Sequence, residues 1–296
     1  MKKLLTDIKL SFGNATSLYR LILINVAIFI VIQLVRLVFF LSGSDSGGFM
    51  EYAYHLSLPA DISEVIVHPW SVITYMFLHF SFMHIFFNML ILYWTGQLFT
   101  EYLGNNKLWA TYLLGGLTGA ASYILVYNIF PVFAGNIESA RLLGASAGVI
   151  AVMVAIATLL PEYTVQLLLF GPVRLKYIAI FSILLYAISI PDGNAGGNIA
   201  HLGGALFGFV LVKQLQKGND LTGWLVKLVT RFQKPRMRVV SHRKKRGDAD
   251  LDHAELRKSR QEIIDKILDK ISQSGYESLS NEEKDILFKA SKNMKD

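Results

Sequence analysis

The sequence predicts an all-α polytopic membrane protein: a six-helix membrane bundle followed by a small cytosolic helical hairpin. Three observations predict it. Apolar residues make up 53% of the 296, and they gather in long runs. Six runs stand at about 20–42, 78–100, 107–130, 142–160, 172–190 and 198–216. Each is near the ~20 residues that a helix needs to cross the hydrocarbon, and too long for a barrel strand. The formal charge of +7 comes from basic residues crowded at the two ends of the chain. That distribution suits a cytoplasmic membrane face better than a nucleic-acid groove. With no cysteine, disulfides, thiolate nucleophiles and cysteine-ligated metals are excluded.

The elements follow in order. The N-terminal arm is basic, and the run after it is too long for a signal peptide, so it reads as a retained first membrane helix. Lys2, Lys3, Lys9 and Arg20 precede or open that helix, Lys107 follows the second, Arg174 and Lys176 follow the fourth, and the tail after 212 is densely basic. The segments 43–69 and 191–197 carry no Lys or Arg, and 131–141 has only Arg141. Both termini are therefore expected in the cytoplasm, with those three loops outside. The first outer loop, "EYAYHLSLPADISEVIVHPW", reads either as a segment lying in the outer interface or as an ordinary extracellular loop.

Three parts are expected: a membrane domain over 1–219, a basic interfacial helix and linker over 220–253, and a helical hairpin tail over 254–296. In the second, Trp224, Leu225, Leu228 and Phe232 share one helical face with Lys227 and Arg231 between them, the pattern of a helix lying on a leaflet. The basic stretch "KPRMRVVSHRKKRGD" reads as an anchor for anionic lipid, with nucleic acid the minor alternative. In the third, Ile263, Ile264, Ile267, Leu268 and Ile271 form a stripe ended by Gly275. Ser280 and Glu283 form a capping box ahead of Ile286, Leu287 and Ala290.

Polar groups inside membrane helices are costly and mark function. "HFSFMHIFFN" places His79, His84 and Asn88 early in the second helix, "GASAG" places Ser146 early in the fourth, and "NIAHLGGALFG" places His201 early in the sixth. Each alone has a bland reading as a packing residue, and serine readily bonds its own helix backbone. Yet all three segments enter from the same side, so these groups share one depth. Gly144 with Gly148, and Gly204 with Gly208, allow close helix approach around the serine and after the histidine. Gly115 and Gly119 show the same spacing in the third helix with no chemistry attached.

A serine hydroxyl needs a base to become a nucleophile, and a histidine can serve. No Asp or Glu stands at that depth, so the expectation is a Ser146–His201 dyad. His84, Asn88 and the Ser146 N–H would serve as oxyanion donors. Neither cofactor nor metal is expected. There is no H-E-x-x-H, and His79 and His84 point about 140° apart on a helix.

These motifs, with "GQLFTEYLGNNKLWATYLLGG" between the second and third helices, resemble the rhomboid family of intramembrane serine proteases over about 15–217. The resemblance implies a rhomboid-like bundle with Ser146 as nucleophile and His201 as general base. It implies that His84 and Asn88 line the oxyanion hole, with His79 at the cavity edge. Single-pass membrane proteins would be the substrates, cut near the outer end of their helix. Membrane lipid is the other expected partner, nucleic acid is not, and the oligomeric state is open. The bacterial cytoplasmic membrane is the expected location. The tail is similar to helical tails on some bacterial rhomboids.

Three departures stand out. Ala147 occupies a position where glycine is commonest in the family. Ile150 stands where many members carry an aromatic packed on the base. Trp70–Ser71 lacks the arginine that helps brace the first outer loop. A catalytically silent membrane-helix-binding chaperone or sorting protein is the alternative. A transporter is disfavoured, because no inverted repeat is detectable.

Overall fold

The computed structural model describes residues 16–43, 46–167, 171–232, 249–275 and 278–292. Lys2, Lys3, Lys9 and the basic linker at 234–248 lie outside them. All six apolar runs are helical: α1 (Ser17–Leu41), α5 (Phe82–Leu103), α6 (Asn105–Ile129), α7 (Ser146–Leu159), α8 (Leu175–Ile188) and α9 (Ala195–Gln216). Four of them, α1, α5, α6 and α9, are long and apolar enough to cross a membrane. The other two, α7 and α8, have 14 residues each, about 21 Å at the helical rise. They complete an all-α membrane bundle.

Between α1 and α5 the long connection folds into α2 (Ser46–Tyr54), β1 (Leu58–Pro59), α3 (Ile62–Val67) and α4 (Ser71–Thr74). It is not a free loop. Phe49 and Ala53 pack with Ile32 of α1 and Leu78. Strand β1 pairs antiparallel with β2 (Arg141–Leu142), Leu58 facing Leu142 and Pro59 facing Arg141. The α1–α5 connection and the approach to Ser146 thus lie at one end of the bundle, as alternation of the helices demands. At the other end Lys107 pairs with Asp220 at 3.0 Å, and the hairpin β3 (Thr164–Leu167) and β4 (Gly171–Arg174) joins α7 to α8.

Arg141 holds this end of the bundle together. Its guanidinium meets Glu64 of α3 at 2.5 Å, donates to the Glu138 carbonyl at 2.8 Å and lies over the Tyr54 ring. The bracing expected from an arginine after Trp70 therefore comes from the other strand of the β1–β2 pair. Ser71, in that arginine's place, is fully buried.

Helix α7 is the core. Every side chain from Ala147 to Ala157 is buried. Helices α6 and α9 press on it from two sides. A Cβ on Gly115 would meet the Ala151 Cβ at 2.2 Å, and one on Gly119 the Ala147 Cβ at 2.6 Å. From α9, a Cβ on Gly204 would lie 2.2 Å from the Ala147 carbonyl oxygen, and one on Gly208 2.2 Å from that of Ala151. Gly115 and Gly119 therefore clamp the serine's own helix. Around this core a belt of large apolar side chains faces outward, among them Leu34, Val38, Phe86, Leu125, Phe181 and Ile188, as a lipid-facing surface requires.

Helix α10 (Gly223–Phe232) follows, with Trp224 and Leu228 exposed. The tail forms a second compact unit built from α11 (Ala249–Ser274) and α12 (Asn281–Lys292). The capping box is present. The Ser280 N–H donates to the Glu283 carboxylate at 2.7 Å, and the Glu283 N–H to the Ser280 hydroxyl at 3.3 Å. The Ser280 bond and the Lys270 ammonium hold the Glu283 carboxyl below its usual range. Ile267 and Leu279 are buried in this unit, whereas Ile263 and Leu268 of the stripe are exposed.

Candidate active site

Ser146 is the first residue of α7, not one turn inside it as its apolar run suggested. The run begins at 142, but β2 and a short loop occupy its first residues. Gly144 allows the entry, with φ +125°, a region that side chains disfavour. A Cβ there would also meet the His84 ring at 2.8 Å. The loop is fastened from below, where the Gly144 N–H donates to the Tyr75 carbonyl at 2.9 Å. Helix α9 begins at Ala195, capped by the Asn194 side chain, so His201 lies nearly two turns in.

The two helices that meet through Gly204 bring the pair together. His201 Nε2 lies 2.6 Å from Ser146 Oγ. With the proton on Nδ1, the serine hydroxyl donates to Nε2. His201 Nδ1 is buried and has no hydrogen-bond partner among the described residues, so the pair has geometry for a dyad and no carboxylate behind it. On α8, Tyr186 packs on His201 with ring centroids 4.4 Å apart.

His84 and Asn88 line the same cavity as Ser146 and His201, about 520 Å³ between α5, α7, α8 and α9, rimmed by Arg141, Leu142 and Leu143. Asn88 Nδ2 donates to the His84 carbonyl at 2.9 Å. That bond uses one of its two amide hydrogens and leaves the other.

His79 is placed differently. It is not on α5, which starts at Phe82 behind its Ser81 cap, and it does not line the cavity. The ring is fully buried. Its Nε2 accepts from the Ala145 N–H at 3.4 Å, and its Nδ1 lies 3.3 Å from the Phe77 carbonyl. It stands one layer behind the cavity wall, its ring edge-on to that of His84 with centroids 4.9 Å apart, and it fastens the backbone that leads into Ser146. A ring bridging an N–H and a carbonyl satisfies both of its nitrogens, which is why burial suits it.

Sequence reasoning missed three contributors. Asn25, buried in α1, donates to the Leu21 carbonyl at 2.9 Å and to the Tyr112 hydroxyl at 3.3 Å, and that hydroxyl donates to the Met76 carbonyl at 2.8 Å. This chain holds the backbone beside Tyr75. An asparagine amid apolar residues was the available signal. Arg141 and Tyr186 were the other two.

Ala147 does not reach the site. Its Cβ points at Gly119 of α6, and the residue is absent from the cavity lining. The extra methyl is absorbed by a glycine on the neighbouring helix.

The geometry is that of a bundle of membrane helices with a serine and a histidine in contact near one end. The Rhomboid domain model matches residues 67–217, half of the chain, and the chain belongs to the rhomboid family. The tail, at 249–293, matches a family of unknown function (DUF6576). Among curated proteins the chain is similar to RHOMBOID-like protein 12, mitochondrial, of Arabidopsis thaliana, 31% identical over 50% of this chain and 47% of that protein. It is similar to the rhomboid protease GlpG of Serratia proteamaculans (strain 568), 28% identical over 53% and 52%. It is also similar to the presenilin-associated rhomboid-like protein, mitochondrial, of Homo sapiens, 31% identical over 52% and 39%. The chain spans about half the length of the curated relatives it matches, or less.

Proposed function

We propose that this protein is an intramembrane serine endopeptidase that uses a Ser146–His201 dyad to cleave single-pass membrane proteins near the outer end of their helix. The observation that carries the reading is the 2.6 Å contact between His201 Nε2 and Ser146 Oγ, inside a cavity lined on one wall by His84 and Asn88. Its likeness to a rhomboid protease supports the same reading.

The steps follow from the residues. As Oγ attacks the scissile carbonyl, its proton passes to His201 Nε2. The carbonyl oxygen becomes an oxyanion, for which the Ser146 N–H, the free amide hydrogen of Asn88 and the His84 ring are the available donors. One such donor is worth roughly 2.7–4 kcal/mol in serine hydrolases. His201 then protonates the leaving amine, and a water, activated by the same histidine, releases the acyl group. The N–H groups opening α7 add the positive end of the helix dipole. We assign His79 a positioning role behind Ser146.

In this reading the membrane domain covers 1–219, the interfacial helix and linker 220–253, and the tail 254–296. The separate match of the tail supports that division. Both termini lie in the cytoplasm, as the distribution of basic residues favours, and the protein resides in a bacterial cytoplasmic membrane, in line with its likeness to a bacterial rhomboid protease.

The test is cleavage of a reporter membrane protein in proteoliposomes by the wild type, Ser146→Ala and His201→Ala. The wild type is expected to cut and both variants to be inert. Fluorophosphonate labelling should be lost with Ser146→Ala. Binding of reporter helices without cleavage by the wild type would instead support the chaperone alternative.

A further inference from the structure

We infer that Tyr186 of α8 is a positioning residue for His201, supplying from the cavity wall the aromatic support that the serine's own helix lacks. The inference rests on the dyad reading above and deepens it.

The starting point is Ile150, one helical turn after Ser146. It is buried in one apolar cluster with Met153, Leu175, Ala179 and Ala205, and Tyr186 packs against that cluster. Ile150 lines the cavity together with Tyr186 and His201, but as an aliphatic side chain it offers the histidine no ring. Tyr186 brings one from another helix. Its ring is tilted 57° to that of His201 with centroids 4.4 Å apart, within the range where aromatic rings orient one another.

The histidine needs such support. Its Nε2 meets Ser146, but its buried Nδ1 has no partner among the described residues. No hydrogen bond therefore fixes the ring's rotation from behind, and ring packing is the remaining constraint. A base that rotates by a few tens of degrees loses the line to Oγ and with it the near-attack geometry.

The location of the support has a consequence. Tyr186 lines the cavity together with His84, Phe87 and Asn88 of α5. Its helix is the least embedded of the six, with only Leu175 and Ala179 buried. An outward movement of α8 that widened the cavity would draw Tyr186 off His201. In this chain, the alignment of the base and the width of the cavity depend on the same helix.

The experiment compares the wild type, Ser146→Ala, Tyr186→Ala, Tyr186→Phe and the double variant Tyr186→Ala with Ile150→Phe. Reporter cleavage in proteoliposomes gives kcat and KM, and fluorophosphonate labelling gives the reactivity of Ser146. Tyr186→Ala should lower kcat and the labelling rate at least about tenfold with KM changed less than about twofold. Tyr186→Phe should keep near wild-type values, since the ring and not the hydroxyl does the positioning. Restoring an aromatic from α7 with Ile150→Phe should recover at least part of the lost labelling.

Wild-type labelling in Tyr186→Ala would overturn the inference, as would equal loss in Tyr186→Phe. If Tyr186→Ala is less stable to heat, recovery of labelling without recovery of stability in the double variant supports positioning. Recovery of neither overturns it. A wild type that neither labels nor cleaves, or a Ser146→Ala variant that does both, removes the dyad reading itself and this inference with it.

Discussion

Helices α7 and α8 have the same length and are both strongly apolar, yet they live in different solvents. In α7 every side chain from Ala147 to Ala157 is buried in protein. In α8 two side chains are buried, while Tyr177, Ile180, Phe181, Leu184, Leu185 and Ile188 face outward. The difference is one of side-chain size. Alanine, glycine and valine along α7 let α6 and α9 approach to backbone contact. The bulky residues of α8 suit acyl chains, which are as apolar as the protein and give no drive to bury. The helix that carries Ser146 is thus held in protein on all sides, and the one that carries Tyr186 is held along one narrow face.

The strongest way to break this comparison is to enlarge a residue where α9 meets α7. Gly204→Val drives a side chain into the Ala147 carbonyl, where even a Cβ would stand at 2.2 Å. Overpacking of this kind costs typically about 1–3 kcal/mol, and here the obstacle is backbone. A clear drop in thermal midpoint and loss of fluorophosphonate labelling are expected.

The next effect is His79→Leu. It removes the acceptor of the Ala145 N–H and leaves that buried donor unpaired, at about 1–3 kcal/mol. Labelling of Ser146 should fall along with stability, although His79 touches neither dyad member in the cavity.

Arg141→Ala comes third. Its pair with Glu64 is only partly exposed, and its loss should cost on the order of 1 kcal/mol. The expected signature is local: faster proteolysis or hydrogen exchange in the first outer loop, with the rest of the bundle unchanged.

The smallest effect belongs to α8. Leu184 is exposed, so Leu184→Ala should change the thermal midpoint by little, within about 0.5 kcal/mol. A large loss there would mean that a protein surface, and not lipid, covers this face.

Most of the fold was legible because long apolar runs admit few structures in lipid. The six helices, the capping box at Ser280 and the close helix contacts at Gly204 and Gly208 followed from run length, cap chemistry and small-residue spacing. The depth argument brought Ser146, His201, His84 and Asn88 to one cavity. What escaped was set by contacts between segments distant in sequence. His79 looked like its neighbour His84, because a run of apolar residues does not reveal that the helix starts only after Ser81. Arg141 seemed an isolated charge until β1 paired with β2. Ala147 stood where glycine is commonest in the family, and only the position of Gly119 shows where its methyl goes. Tyr186 was one aromatic among others in an outward-facing helix, distinguished only by its ring contact with His201.

The central claim is that Ser146 and His201 work as one catalytic unit. Rates of reporter cleavage in proteoliposomes by the wild type, Ser146→Ala, His201→Ala and the double variant test it most directly. The account predicts cleavage by the wild type alone, with the double variant no worse than either single one. Cleavage by either single variant at the wild-type rate would contradict it.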